Sequence, residues 1–172
     1  LVGSEMCIRD RLVISVNVSP TVANAMEQVP VFGAIVKIVN FTTYSDKQEK
    51  KQMEATVRVP EVKVIGTDGK PLTRESKELN AAVSGYLDKI FQMYKKDVAA
   101  VSDGEEGHEE ITSDYRIVTD NRRLFSLRVD TVIAMGGSDS FTKIYNIDKK
   151  TGKMITLKDL FHEGSDLSLI HI

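Results

Sequence analysis

Between Thr73 and about Val101 the apolar residues Leu79, Val83, Tyr86, Leu87, Ile90, Tyr94 and Val98 recur at three- and four-residue steps. That spacing predicts one long helix with a single apolar stripe. Such a helix needs a sheet to cover, and the sequence after it supplies one. Ile111, Ser113, Tyr115 and Ile117 fall on one face of a strand, and Phe125, Leu127, Val129, Thr131 and Ile133 mark the next. Asp120-Asn121 suits a tight hairpin turn between them. Gly136-Gly137-Ser138-Asp139 turns the chain again, and Phe141 to Ile147 returns. Asp148 to Gly152 forms a further turn, with Gly152 suited to a left-handed backbone. Met154 to Thr156 reads as a short strand, and Thr156 to Phe161 as a capped single helical turn. The class is α+β, with one long amphipathic helix packed on an antiparallel β-sheet.

Ahead of that helix the pattern predicts short N-terminal helices. Ser19-Pro20 is a cap followed by a first-turn proline, opening a helix to about Gln28, where Pro30 interrupts it. Val31 to Val39 is mostly apolar and fits a second helical turn or two. Asn40 to Ser45 is extended, and Asp46 to Lys51 is a polar reversal. Val57 to Ile65 alternates as a half-buried strand, and Pro60 within it favours an edge position. Thr67 to Pro71 is a turn. No internal repeat or low-complexity segment interrupts the chain.

The two ends read differently. The codons CTG TCT CTT ATA CAC ATC encode Leu167 to Ile172. The reverse complement of that string, extended by one T, encodes Met6 to Asp10. One inverted nucleotide sequence therefore accounts for both termini, and residues 1–11 and 167–172 are expected to be translated sequencing adapter. The remainder divides into 12–39, a juxtamembrane helical segment, and 40–166, a domain expected to be severed at its C-terminal end. Dropping the ends removes Arg9 and Arg11 along with Glu5 and Asp10, so the net charge stays at −2. That balance argues against nucleic acid as a partner, which asks for a concentrated basic face. The one cysteine, Cys7, lies in the adapter. Residues 12–166 therefore have no disulfide, thiolate nucleophile or Cys-ligated metal, a composition compatible with the outside of a Gram-positive cell. No stretch reaches the roughly 20 apolar residues of a membrane span. A span cut just before Leu12 stays open.

Chemistry is sparse. His108 and His162 sit in different loops with no metal-ligand spacing between them. His108 lies among Asp103, Glu105, Glu106, Glu109 and Glu110, which read as a solvated loop, as a docking patch for a basic partner, or as a metal site. No GxSxG or SxxK motif holds a nucleophile beside a base. The Gly136–Ser140 stretch lacks a P-loop lysine and leads into a strand. Asp130 and Asp148 could pair for glycosidic chemistry only across a cleft that sequence does not define. The expectation is a non-enzyme without metal or cofactor. Ala23-Asn24-Ala25 fits a signal-peptidase cut after Ala25, or an ordinary small helical face.

Two stretches carry a resemblance. Asn17 to Met26 with Val29 to Lys37 is similar to the segment that leaves the membrane in Firmicute anti-sigma factors. Lys143 to Lys153 with Ile155 to Phe161 resembles the YNxDxKTGKxxTLxDLF signature of the outer domain of RsiV-type anti-sigma factors, a domain also found in some peptidoglycan deacetylases. The resemblance implies a single-pass protein whose missing N-terminal region holds an ECF sigma factor inside the cell. Its extracytoplasmic domain senses a ligand, lysozyme in the type protein, as part of an envelope-stress response. Ligand binding exposes a site to signal peptidase, and a further cut in the membrane frees the sigma factor. On this footing Ala23 and Ala25 are the candidate cleavage positions. Glu105, Glu106, Glu109, Glu110, Ser138 and Asp139 are the candidate partner-binding residues. The alternative implied by the deacetylases is a cell-wall-associated binding domain without signalling. The sequence departs from the family at Gly136-Gly137-Ser138-Asp139-Ser140, where many members carry a Gly-Gly-Ala-His-Gly type turn.

Overall fold

The computed structural model describes the backbone of residues 12–17 and, in full, residues 33–161. Seven strands form one sheet in chain order: β1 (Leu12–Asn17), β2 (Ile35–Gln48), β3 (Met53–Ile65), β4 (Glu109–Asp120), β5 (Leu124–Met135), β6 (Ser138–Asp148) and β7 (Met154–Ile155). The helix α1 (Thr73–Ala100) joins β3 to β4. Its stripe is the one the spacing predicts, with Leu79, Val83, Leu87 and Tyr94 fully buried. Phe91, which the spacing argument passed over, is buried beside them and packs its ring 5.9 Å from Tyr44 and 6.1 Å from Tyr94. Against this stripe the sheet sets Val57, Val62, Val64, Ile111, Phe125, Leu127, Val129 and Ile147.

The sheet is mixed where an antiparallel one was expected. β3 and β4 run parallel, Met53↔Glu109 to Val57↔Ser113, while every other pairing is antiparallel. The helix dictates this. Its 28 residues span about 42 Å, and the 13 residues of β3 span about 43 Å. The chain therefore returns to the end where β3 began, and the next strand must start there.

The expected helix over Val31–Val39 is corrected for its described part, because β2 begins at Ile35 and pairs with β3 along its length. The reason is composition: Ile35, Val36, Ile38 and Val39 are β-branched and suit a pleated surface better than a helix. A register shift between Ile38 and Asn40 marks a bulge. The expected helix from Ser19 to Gln28 lies outside the described residues, as do the adapter ends, Ala23, Ala25 and His162. The polar reversal falls later than expected, over Glu49–Lys51, with Gln52 left-handed at φ 52°.

Pro60 sits inside β3 where β4 no longer pairs with it, so the edge position that proline requires is met locally. Beyond Pro60, side chains of α1 take the place of a strand. Asn80 accepts from the Val62 amide and donates to the Val62 carbonyl, both at 2.8 Å, and Ser76 Oγ accepts from the Val64 amide at 2.9 Å.

The signature-like stretch builds structure. Tyr145 donates its hydroxyl to the Ala82 carbonyl at 3.1 Å, tying β6 to the helix. Asn146 accepts from Ser126 at 2.7 Å. Asp148 closes its own turn by accepting from the Lys150 amide and the Thr151 hydroxyl, each at 2.9 Å. Gly152 holds φ 75°, and a Cβ there would collide with Leu72. Thr156 and Asp159 form a reciprocal capping box over Leu157–Leu160.

Candidate functional site

The end of β2, the starts of β3, β4 and β6, and the end of β5 meet at one end of the sheet. Three loops cluster there: the reversal after Gln48, the stretch 101–108 that leaves α1, and the β5–β6 turn. Between them lies an open cleft of about 570 Å³. Lys47, Gln48, Glu49 and Gln52 line it from the first loop, Met53 and Glu54 from β3, His108, Glu109 and Glu110 from the start of β4, and Ala134 and Gly136 from the last turn.

This end has unusual backbone. Gln52 and His108 take positive φ, at 52° and 50°, an arrangement that costs a non-glycine residue about 1–2 kcal/mol. Both are held by their surroundings. The Lys51 carbonyl accepts from the Gly107 amide at 2.7 Å and the His108 amide at 3.4 Å. The Lys51 ammonium donates to the Val98 and Val101 carbonyls at 2.9 and 2.6 Å, capping the negative end of the helix dipole. Gly107 is packed against Met53 and Val101 so closely that a Cβ would lie 2.6 Å from Met53 Sδ.

The six candidate partner-binding residues separate by burial. Glu105 is exposed, and its carboxylate accepts from the Ser102 amide at 3.4 Å. Glu106 is exposed and meets His108 Nε2 at 2.9 Å. Glu110 is exposed, as are Ser138 and Asp139, the first two residues of β6. Strand register draws the two groups together: Glu110 lies opposite Ala134, and Ala134 opposite Ser138, so they form one row across the sheet. Glu109 stands apart. It lies on the core face, 2% exposed, and neither carboxylate oxygen has a hydrogen-bond partner. Burial, with the Asp97 carboxylate beside it on α1, pushes its pKa up to about 7. Two carboxylates cannot bond to each other, but a proton held by one of them makes the pair a donor and an acceptor. Burial, and then the charges of Glu109 and Glu54, lift the neighbouring Tyr94 to about 12.

Sequence reasoning had a signal for this and passed over it. Glu109 precedes Ile111 and Ser113 by two and four residues, which puts it on their face. It also missed Asp46, 7% exposed, which pairs with Lys95 and accepts from Gln48 Nε2 at 2.6 Å.

Among the described residues no buried side-chain oxygen or nitrogen other than those of Glu109 lacks a hydrogen-bond partner. Asp130 accepts from Thr142 at 2.6 Å and Arg128 at 2.7 Å, and these bonds, Thr142's first, lower its pKa. Asp148 is committed to its turn. Among the described residues no group of three or more His, Cys, Asp or Glu could hold a metal ion. Among the same residues no helix is long and apolar enough to cross a membrane.

No family model matches the chain. The anti-sigma-V factor RsiV of Bacillus subtilis (strain 168) is 34% identical to it over 156 residues, covering 90% of this chain and 51% of that protein. The chain thus spans about half the length of the curated relative it matches. Solved structures of two DUF3298 family proteins are more distant. The one from Pseudomonas aeruginosa PAO1 has a TM-score of 0.43 at 11% identity, over 74% of this chain and 60% of that one. The one from Bacteroides fragilis NCTC 9343 has a TM-score of 0.38 at 12% identity, over 80% and 65%. Scores at this level leave the relationship to be carried by sequence, and the sequence is similar along nine-tenths of its length to one half of the anti-sigma factor RsiV.

Proposed function

We propose that this chain is the extracytoplasmic, ligand-sensing part of a membrane-anchored anti-sigma factor, which controls an ECF sigma factor through ligand-triggered proteolysis. The observation that carries the reading is the 34% identity to RsiV over 156 residues. The cleft end of the sheet supports a place for the ligand. Glu110 lines the cleft and Glu105, Glu106, Ser138 and Asp139 are exposed, and in this reading their acids draw in a basic, lysozyme-like protein by their long-range field.

The cut itself belongs to Ala23 and Ala25, with signal peptidase as the enzyme. These residues connect β1 to β2, and the two strands pair with each other from Leu12↔Ser45 to Asn17↔Asn40. A protease acts on extended, accessible backbone. In this reading the β1–β2 pairing belongs to the uncut form, and its loosening frees the segment for the protease. A ligand that binds the loosened form more tightly shifts the population toward cleavage, about tenfold for each 1.4 kcal/mol of differential binding.

The test uses the full-length protein in its membrane. Ala23 and Ala25 are replaced by bulky residues, and processing is followed on addition of hen lysozyme. Processing that proceeds unchanged removes the cleavage assignment. Separately, lysozyme affinity is measured for a Glu105→Lys, Glu106→Lys, Glu110→Lys variant. A drop of about tenfold or more supports the rim, and an unchanged affinity places the ligand elsewhere.

A further inference from the structure

Glu109 opens β4 with its side chain on the core face, and neither carboxylate oxygen has a hydrogen-bond partner. Among the described residues, no element packed against it brings it a cation. From α1 it faces Asp97, a second carboxylate, and Tyr94, whose hydroxyl is given to the Asp46 carbonyl at 3.3 Å. Lys95, between those two in sequence, is paired with Asp46 of β2. Beside Glu109 on β3 stands Met53, with Glu54 exposed on the other face, and opposite it on β5 stands Met135. Lys51, ahead of β3, has its ammonium on the Val98 and Val101 carbonyls. His108 meets Glu106, and Glu110 is exposed on the far face. A carboxyl in such a place is either neutral or costly. With one proton between them, Glu109 and Asp97 supply each other with a donor and an acceptor, and that bond ties the first residue of β4 to α1. With none, two like charges face each other where solvent screens them poorly.

Packing decides what gives way under that repulsion. Asp97 sits on the helix between the fully buried Tyr94 and the half-buried Val98 and Val101, all packed into the core. Past Glu109, Ile111 is fully buried and β4 is paired on both sides, with β3 and with β5. The segment between these two anchors is held by little. Ser102 to Glu106 and His108 are exposed. Gly107 and His108 hang on one carbonyl, that of Lys51, at 2.7 and 3.4 Å, and His108 is left-handed. A stretch with few buried contacts opens at a lower cost than the fold as a whole. We infer that Glu109 and Asp97 are a proton-operated latch: sharing one proton they fasten the start of β4 to α1, and when that proton passes to solvent they release residues 102–109. His108 and Glu109 line the cleft, so the latch sets how firmly one wall of it is held. Acid closes the wall, and neutral solution loosens it. The folded Glu109 carboxyl holds its proton up to about 7 against an ordinary 4.5. The opening constant therefore climbs through that range and levels off above it.

The experiment follows amide exchange of the full chain between pH 5 and pH 8 without any ligand, each rate divided by the intrinsic rate of an open amide at the same pH. Its outcome is therefore independent of the sensing reading. The Gly107 amide is expected to open about thirtyfold more readily at pH 8 than at pH 5. That opening should hardly respond to dilute urea, because it exposes little surface. Leu127 and Val129 of β5 report unfolding of the whole chain, and their exchange should rise steeply with urea. Glu109→Gln and Asp97→Asn each set an amide donor against the remaining carboxylate. Each should hold Gly107 closed at pH 8 and remove the pH dependence. Corrected exchange at Gly107 that stays level from pH 5 to pH 8 overturns the inference. So does a rise that persists in both variants. A rise at Gly107 with the urea response of Leu127 also overturns it, because the charge would then unfold the whole chain rather than release one segment.

Discussion

The two ends of α1 bury polar groups under opposite terms. Near the N-terminal end, β3 loses its β4 neighbour after Val57, and its edge at Val62 and Val64 is buried. Asn80 and Ser76 complete that edge with a donor or acceptor for each buried group they face. Near the C-terminal end, the Glu109 carboxylate is buried just as deeply and has no hydrogen-bond partner unless a proton is shared with Asp97. The charge that acts on it is that of Asp97, of the same sign. Burial alone therefore does not tell whether a polar group supports a fold. Pairing decides it, since an unmet polar group costs more than a met one gains. The satisfied end is the scaffold. The unsatisfied end also holds the cleft and the left-handed Gln52 and His108, the two such non-glycine residues among those described, so it carries the local cost of the fold.

The largest effect is expected from breaking the satisfied end. Asn80→Ala removes two hydrogen bonds and strands the amide and carbonyl of Val62, a residue 1% exposed. A loss of about 3 kcal/mol in unfolding free energy follows, measured by urea denaturation. A loss below about 0.5 kcal/mol would mean that water reaches this edge and that the contrast between the two ends is false.

The other end should answer to pH. Glu109 titrates at about 7 in the folded chain against an ordinary 4.5. The folded state thus binds the proton more tightly than the unfolded state between those values. Stability from this group is fully present below about pH 4.5, declines as pH rises, and is gone above about pH 7. The expected loss between pH 5 and pH 8 is about 2 kcal/mol. Glu109→Gln keeps the shape, supplies an amide donor to Asp97 and should flatten this slope, leaving the variant more stable than the parent at pH 8. An unchanged slope in the variant would falsify the assignment of the buried proton to Glu109.

How legible each end was in the sequence follows from the same chemistry. Periodicity reports burial, so Leu79, Val83, Leu87 and Tyr94 on the helix and Phe125, Leu127 and Val129 on β5 were readable. It does not report strand direction, which is why the parallel β3–β4 pair went unseen. The length of α1, close to that of β3, held that information. Val31–Val39 failed because its β-branched content was outweighed by its neighbourhood to Ser19-Pro20. At the site, the charge run from Glu105 to Glu110 read as one patch, although the strand begins within it. From Glu109 onward alternate side chains point to opposite faces, and one acid of the run is turned inward. Asn80 carried no readable signal, because its role depends on where β4 leaves β3, and that is a property of the whole sheet.

The smallest effect sharpens the comparison from the unsatisfied end. Lys51 does for the C-terminus of α1 what Asn80 does for the β3 edge, but with an ammonium that is only partly buried, at 2.9 Å from the Val98 carbonyl and 2.6 Å from the Val101 carbonyl. Water can replace much of that contact. Lys51→Met keeps the aliphatic stem and removes the charge from the end of the dipole, so the cost is expected to be about 1 kcal/mol, well under that of Asn80→Ala. The same residue holds Gly107 and His108 through its main-chain carbonyl, which the substitution leaves in place. The lesion should therefore fray the last turn of the helix while the cleft loop stays ordered, giving faster amide exchange at Ala99–Val101 with little change at Gly107 and His108. Equal loosening of both would mean that the ammonium, rather than the backbone of Lys51, fixes the loop.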